Sequence, residues 1–257
     1  MIRTLREDII NKPVQAVILA GGLGTRIRQI VSDRPKSLAD INGKPFLHYQ
    51  IKFLRNNGIK DIVMCIGYMG QKVQEYFSDG KNFEIYIQYS SETDSLLGTG
   101  GALKKARNLL EKRFFVVNGD TLFLTNLKDM QCFHEQSLSC LTMALTRVEN
   151  QSRYGSVKLE HTNQSSSRII NFREKSHLPS LLVNAGVYLF EKSSVRWNDL
   201  GDVFSLEYEL LPKILQMPHH RVYGFVDENA YFVDIGTPEG YKKLESDFGP
   251  NGKYQNF

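Results

Sequence analysis

The chain has 257 residues, 41% of them apolar and 23% charged, which is enough to bury the core of one large α/β domain. Its formal charge is +4, with Lys and Arg scattered among nearly as many acids, so no basic stripe marks a nucleic-acid partner; the small excess suits polyanionic small substrates. No apolar run approaches the roughly 18 residues of a membrane span, and Cys65, Cys132 and Cys140, an odd number without metal or disulfide spacing, read as thiols kept in a reducing cytoplasm.

Residues 1–13 mix charges with Ile pairs and read as a short N-terminal extension ahead of a single domain over 14–257. Residues 14–20 are a nearly all-apolar run ending in glycines, the pattern of a strand buried on both faces. Residues 45–57 have helical spacing, with Pro at the first turn and Gly58 just past the end. Residues 62–66 read as a strand, 71–77 as a helix, 83–89 as a strand, 102–110 as a helix and 114–117 as a strand. This alternation predicts an α/β fold with an open, mostly parallel, Rossmann-like sheet flanked by helices. Beyond residue 135 the pattern shifts to strands over 138–147, 155–160, 168–173 and 182–190, joined by polar loops such as 162–167. A helix over 204–215, short strands over 222–225 and 231–234 and a helix over 238–248 complete the chain. Residues 136–257 are therefore expected to extend the sheet of residues 14–135 with mixed strands and to add a substrate-covering region.

The first strand runs into Leu19-Ala20-Gly21-Gly22-Leu23-Gly24-Thr25-Arg26, with Pro35-Lys36 nine residues beyond. A loop of so little side-chain bulk lets backbone N–H groups approach an anion, and an Arg fork suits phosphate oxygens. A tight strand–helix turn with a surface arginine is the plainer reading. Neither better-known phosphate loop fits. Gly43-Lys44 is followed by Pro45 where a Walker loop needs Ser or Thr, and Ile27 stands where a dinucleotide fingerprint needs Gly.

Taken whole, the segment from Leu19 to Lys36 resembles the sugar-1-phosphate nucleotidyltransferases, whose pattern is Leu-Ala-Gly-Gly-x-Gly-Thr-Arg followed by Pro-Lys. The resemblance implies that this loop binds a nucleoside triphosphate, with Arg26 and Lys36 on its phosphates. It continues through Leu97-Gly98-Thr99-Gly100-Gly101-Ala102-Leu103, which it assigns to the nucleoside, and Asn118-Gly119-Asp120, which places Asp120 on Mg²⁺ and leaves space at Gly119 for the sugar. Tyr154-Gly155, Glu174-Lys175 and Asn184-Ala185-Gly186-Val187-Tyr188 match sugar-contacting stations, with Lys175 on the sugar phosphate. Asp234-Ile235-Gly236-Thr237-Pro238 matches the closing segment whose aspartate is the second magnesium ligand. Alone, each is a turn or a surface charge pair; their order along the chain raises them above that. Ser176 and Phe232 depart from the family, which often has Pro and Trp there.

Within the family, residues 33–47 look most like guanylyltransferases acting on D-glycero-D-manno-heptose 1-phosphate, with Glu92 a candidate reader of a guanine edge. The alternatives are a mannose-1-phosphate guanylyltransferase and a glucose-1-phosphate uridylyl- or thymidylyltransferase. The implied partners are GTP and a sugar 1-phosphate, with no nucleic acid and no membrane; oligomeric state stays open, a homo-oligomer among the options. No histidine stands beside a nucleophile, and His48, His219 and His220 read as packed or solvated.

Overall fold

The computed structural model describes residues 14–27, 31, 33–93, 95–148, 154–160, 167–173, 182–218 and 221–257, with the backbone alone at Arg26 and Arg173. The expected N-terminal extension, most of the loop at 162–167, His219, His220, Glu174, Lys175 and Ser176 lie outside the described residues.

Strand β1 (Gln15–Leu19) passes through two 3-10 turns, Thr25–Ile27 and Lys36–Leu38, into a small hairpin of β2 (Asp40–Ile41) and β3 (Lys44–Pro45). Helix α1 (Phe46–Asn56) follows, then β4 (Asp61–Ile66), α2 (Gly70–Phe77), β5 (Tyr86–Ser91), α3 (Gly98–Lys105) and β6 (Arg113–Asn118). Next come β7 (Thr121–Leu124) and α4 (Leu127–Gln136). The second half runs β8 (Leu141–Arg147), β9 (Ser156–Leu159), β10 (Ile169–Arg173), β11 (Leu182–Glu191), α5 (Leu211–Gln216), β12 (Val222–Val226), β13 (Tyr231–Asp234) and α6 (Pro238–Asp247).

The main sheet has the order β10-β9-β11-β6-β1-β4-β5, with β8 paired to β11 and β12 to β8. β5, β4, β1 and β6 are mutually parallel, as the strand–helix alternation predicts. β11 then runs antiparallel beside β6, so the second half extends the same sheet with mixed strands. The chain moves outward from β1 through β4 to β5 and returns on the far side of β1 as β6. The carboxyl ends of β1 and β6, where Leu19 and Asn118 are in register, thus form a switch point, the place where open α/β sheets receive ligands.

Alternation along the strands builds two cores. Ala16 and Ile18 of β1 face one, with Phe46, Leu47 and Leu54 of α1, Phe77 of α2, Leu127 of α4 and Leu244 of α6. Val17 and Leu19 face the other, with Leu103 of α3 and Leu211 and Ile214 of α5. Each fully buried Ile, Leu or Phe contributes about 1.5–3 kcal/mol of apolar burial, so both helical layers are firmly held to the sheet.

Several expected boundaries move. β5 begins at Tyr86 rather than 83, because Lys81–Phe83 is a 3-10 turn and Glu84 takes a φ of 59°. β8 starts at Leu141, since Leu138 has a φ of 50° and cannot continue a strand. α3 starts four residues earlier than expected and ends in a 3-10 turn, Ala106–Leu109. The expected helix over 204–215 is a π turn, Leu206–Leu210, leading into α5. Pro212 has no N–H to return to Tyr208, so an unbroken α-helix cannot pass through it. β7 and α4 are absent from the sequence reading. β7 exists through its antiparallel pairing with β13, more than a hundred residues away. α4 carried a readable signal in Leu127, Met130, Gln131 and His134, capped by Asn126, whose side chain accepts from Lys128 and Asp129 N–H.

Candidate active site

A cleft of about 400 Å³ opens over the carboxyl ends of β1 and β6. Its floor is the turn after β1 at Gly21 and Gly22 and the turn after β6 at Gly119 and Asp120. Lys36 reaches this floor from the second 3-10 turn and pairs through its ammonium with the Asp120 carboxylate, both side chains being largely buried. Gly24 makes that approach possible. It takes a φ of 61°, and a Cβ there would lie 2.8 Å from Lys36 Cβ. The glycine of the loop and the lysine of Pro35-Lys36 are thus parts of one packing arrangement, which accounts for their appearance together.

Asp234 joins Asp120 through the β7–β13 ladder, in which Asp234 lies opposite Thr121. Ile235 N–H donates to the Asp120 carbonyl at 2.9 Å, and the Asp234 carboxylate accepts from Gly236 N–H at 2.6 Å. Thr237 then caps α6, accepting from Gly240 N–H at 3.1 Å, with Pro238 at the first turn. The closing motif therefore anchors the aspartate between a strand end and a capped helix. Both carboxylates line the cleft. Among the described residues no cluster of three or more His, Cys, Asp or Glu is placed to hold a metal. Two carboxylates still suit a hard divalent cation that takes its remaining oxygens from water and phosphate.

The turn that carries Asp120 is braced from below. Gln50 of α1 is fully buried, and its amide donates to the carbonyls of Asn118 at 2.8 Å and Thr121 at 2.6 Å. On the opposite side of the cleft, Glu92 follows β5 beside Gly21 and accepts from Leu97 N–H at 3.4 Å. Burial raises its carboxyl above the usual range, more than that hydrogen bond and Lys105 lower it.

The predicted residues divide as follows. Leu19, Ala20, Gly21, Gly22, Lys36, Glu92, Gly98 and Thr99 line the cleft, as do Gly119, Asp120, Gly155, Asn184, Gly186 and Asp234. Gly24, Thr25, Leu97 and Gly100 are outside its lining. Arg26 sits in the 3-10 turn Thr25–Ile27, its side chain undescribed, and Glu174 and Lys175 are outside the described residues.

Two of the glycine stations also serve close packing. At Gly119, which lines the cleft, a Cβ would lie 2.5 Å from the Leu19 carbonyl, so the glycine lets the ends of β6 and β1 close together. Gly100 and Gly101 pack against the segment that leads into α5. Both N–H groups donate to the Phe204 carbonyl, at 3.0 and 3.1 Å, and the Phe204 ring lies where a Gly100 side chain would be. Asn184 is in the lining, yet its amide is engaged locally, donating to Tyr188 Oη at 2.6 Å and accepting from Gly186 N–H at 3.0 Å across an irregularity in the β11 ladder. Phe232, outside the lining, sets its ring edge-on to that of Tyr154, which lines the cleft, with ring centroids 5.3 Å apart. The reading of the sequence gave no individual role to Ser37, Asn118, Thr121 and Glu207, all of which line the cleft. His48 meets the expectation of a packed histidine, its ring set edge-on to Tyr49 and Phe83.

The profile of the Nucleotidyl transferase family matches residues 15–249. The chain belongs to that family. The D-glycero-alpha-D-manno-heptose 1-phosphate guanylyltransferase of Aneurinibacillus thermoaerophilus is 39% identical over 91% of this transferase and 98% of its own length. The Campylobacter jejuni protein of the same name is 37% identical over 89% and 97%. Among solved structures, HddC from Yersinia pseudotuberculosis complexed with GMP-PN has a TM-score of 0.78 at 33% identity, covering 92% of this transferase and all of that chain. No helix among the described residues is long and apolar enough to cross a membrane.

Proposed function

We propose that this nucleotidyltransferase joins GTP to D-glycero-α-D-manno-heptose 1-phosphate, giving GDP-heptose and pyrophosphate. The observation that carries the reading is near full-length similarity to two guanylyltransferases of that specificity, combined with a cleft that gathers Lys36, Asp120 and Asp234 at the β1/β6 switch point. A sugar-phosphate oxygen attacks the α-phosphorus and the β,γ-pyrophosphate leaves. The nucleophile is already ionised, so the chain needs no general base; its task is to bring two anions together and hold them in line. Two unit charges about 4 Å apart interact by ~4 kcal/mol at an effective dielectric of 20, a barrier that cationic side chains offset.

Lys36, which pairs with Asp120, would turn its ammonium to the triphosphate, a role that the family resemblance also gives to Arg26. Lys175 takes the sugar phosphate in the same reading. Asp120 and Asp234 would hold Mg²⁺, which when bound supplies positive charge against the phosphate oxygens. Glu92, at the base end, would accept from the two donors of a guanine edge.

Pyrophosphate release measured with each of four triphosphates across a sugar 1-phosphate panel tests the proposal. Turnover is expected with GTP and the manno-heptose phosphate; no product from GTP with any manno-configured sugar phosphate would remove both assignments. Asp120→Asn is expected to lose at least about a thousandfold in turnover while still folding, as circular dichroism would show, with a melting temperature lowered by the loss of the Lys36 pair. An active Asp120→Asn enzyme would sink the metal assignment.

A further inference from the structure

Glu207 belongs to none of the glycine, lysine or aspartate motifs, yet its carboxylate lines the cleft. It is presented by the π turn Leu206–Leu210, a geometry often associated with functional sites. The turn is locked to α3 at several points. Phe204 N–H donates to the Leu97 carbonyl at 3.0 Å, Phe204 returns its carbonyl to Gly100 and Gly101, and Leu206 N–H donates to Thr99 Oγ1 at 2.8 Å. Ser205 caps the turn, accepting from the N–H groups of Glu207 and Tyr208.

Within this frame the two carboxylate oxygens differ. Oε2 accepts from Thr99 Oγ1 at 2.7 Å and from Ser205 Oγ at 3.2 Å, which sets the orientation of the group. Among the described residues, Oε1 takes a single long bond of 3.3 Å from Asn118 Nδ2 and keeps most of its acceptor capacity. Its position selects what it can accept from. Glu92, the proposed base reader, follows β5 and lies beside Gly21 and Gly67, whereas Asn118 is on β6, toward β11; a Cβ at Gly186 of β11 would lie 3.2 Å from Asn118 Cβ. Glu207 therefore faces the side of the cleft where Gly155 and Gly186 stand.

A carboxylate in a site that must hold two phosphates is unfavourable unless donors meet it. In this half of the cleft the donors a substrate brings are the hydroxyls of its sugar ring. We propose that Glu207 is a sugar-specificity residue, its Oε1 accepting a ring hydroxyl of the sugar 1-phosphate while Oε2 stays bound to Thr99. The inference rests on the nucleotidyltransferase reading above but not on which triphosphate or sugar is used. A charge-assisted hydrogen bond of this kind also aligns the ring, so that binding on the sugar side is coupled to the helix start on the nucleoside side.

Steady-state kinetics of wild type, Glu207→Gln and Glu207→Ala decide it, run with the pair the wild type turns over and with sugar 1-phosphates each lacking one hydroxyl. Glu207→Ala is expected to raise KM for the sugar phosphate about tenfold to a hundredfold, leaving KM for the triphosphate within about twofold. Glu207→Gln, with an amide oxygen still able to accept, should fall between. One deoxy substrate that wild type rejects at least about tenfold should be used by Glu207→Ala as well as its parent sugar. Discrimination against every deoxy sugar surviving in Glu207→Ala would overturn the proposal, as would a rise confined to the triphosphate KM. If the alanine variant does not fold, the same comparison is read from Glu207→Gln. Wild-type inactivity with GTP and manno-heptose phosphate would count against the functional reading alone, since the coupling is measured on whichever pair is active.

Discussion

Base recognition by Glu92, as proposed above, would rest on one carboxylate. Its burial raises the carboxyl above the ordinary glutamate value, so in the free enzyme it takes up a proton at less acidic pH than an exposed glutamate. The protonated form cannot accept two guanine donors. KM for GTP is therefore expected to rise as pH falls through this raised value, and Glu92→Gln should flatten that acid limb while raising KM for GTP about tenfold or more. The linkage runs the opposite way for the fold. A carboxyl raised in the native state destabilises it once pH exceeds the folded value, so Glu92→Gln should melt no lower than wild type at neutral pH. Paired pH profiles of GTP KM and melting temperature check both signs; an unchanged GTP KM in Glu92→Gln would remove Glu92 from base recognition. Lys36 and Gly24 belong to the same scale. Their place in the motif was readable, but the reason for the glycine, a Cβ that would meet Lys36, needed the folded loop.

Among the elements, α1 is the one whose job was hidden. Its apolar spacing was plain from residues 45–57, and Gln50 stood within it as one more helical position. In the fold that amide bridges the Asn118 and Thr121 carbonyls, and so sets the turn that carries Asp120. Gln50→Leu preserves the helix but strands two buried carbonyls, at a cost of about 1–3 kcal/mol for each donor lost. The variant should unfold at lower urea and need more Mg²⁺ for half-maximal activity, by about tenfold. An Mg²⁺ requirement unchanged in Gln50→Leu would mean that the turn holds its shape without the amide. The π turn before α5 makes a related point. The Phe204, Leu206 and Leu210 pattern reads as one helix, while Pro212 interrupts its hydrogen bonds and the break aims Glu207 into the cleft.

Across the whole molecule, the end of β6 opposite the cleft is held by a polar cluster. Arg113 pairs with Glu135 of α4 and, at 2.6 Å, with Glu191 of β11. Buried His134 contacts Thr142 Oγ1 at 2.7 Å and Glu191 Oε1 at 3.4 Å. Burial lowers the His134 pKa, outweighing the upward pull of Glu191. The unfolded chain takes up a proton near 6.5 where native His134 does not, so unfolding is favoured as pH falls from there, and stability levels off above it. Glu191, held below its usual value by His134 and Arg113 against the opposing effect of burial, loses its contribution in the same direction as pH drops. Melting temperature should therefore be flat above about pH 7 and decline steadily below 6.5. In His134→Gln the part of that decline between the folded and unfolded histidine values should vanish; an identical profile would show that the cluster does not govern acid stability.

The sequence alone determined the reaction family, the alternating α/β order of the first half and the chain positions of Lys36, Asp120 and Asp234. Local signals suffice for these: buried strands and amphipathic helices repeat with their own periods, and motif spacing is a property of the chain itself. Tertiary structure decided what meets what. β7 needed β13, Asp234 reached Asp120 through that ladder, Gly100 proved to be a seat for Phe204, and Glu207 came to the cleft from 108 residues beyond Thr99. None of these leaves a local trace, because a contact between distant segments is specified by packing and hydrogen-bond geometry rather than by the residue types on either side.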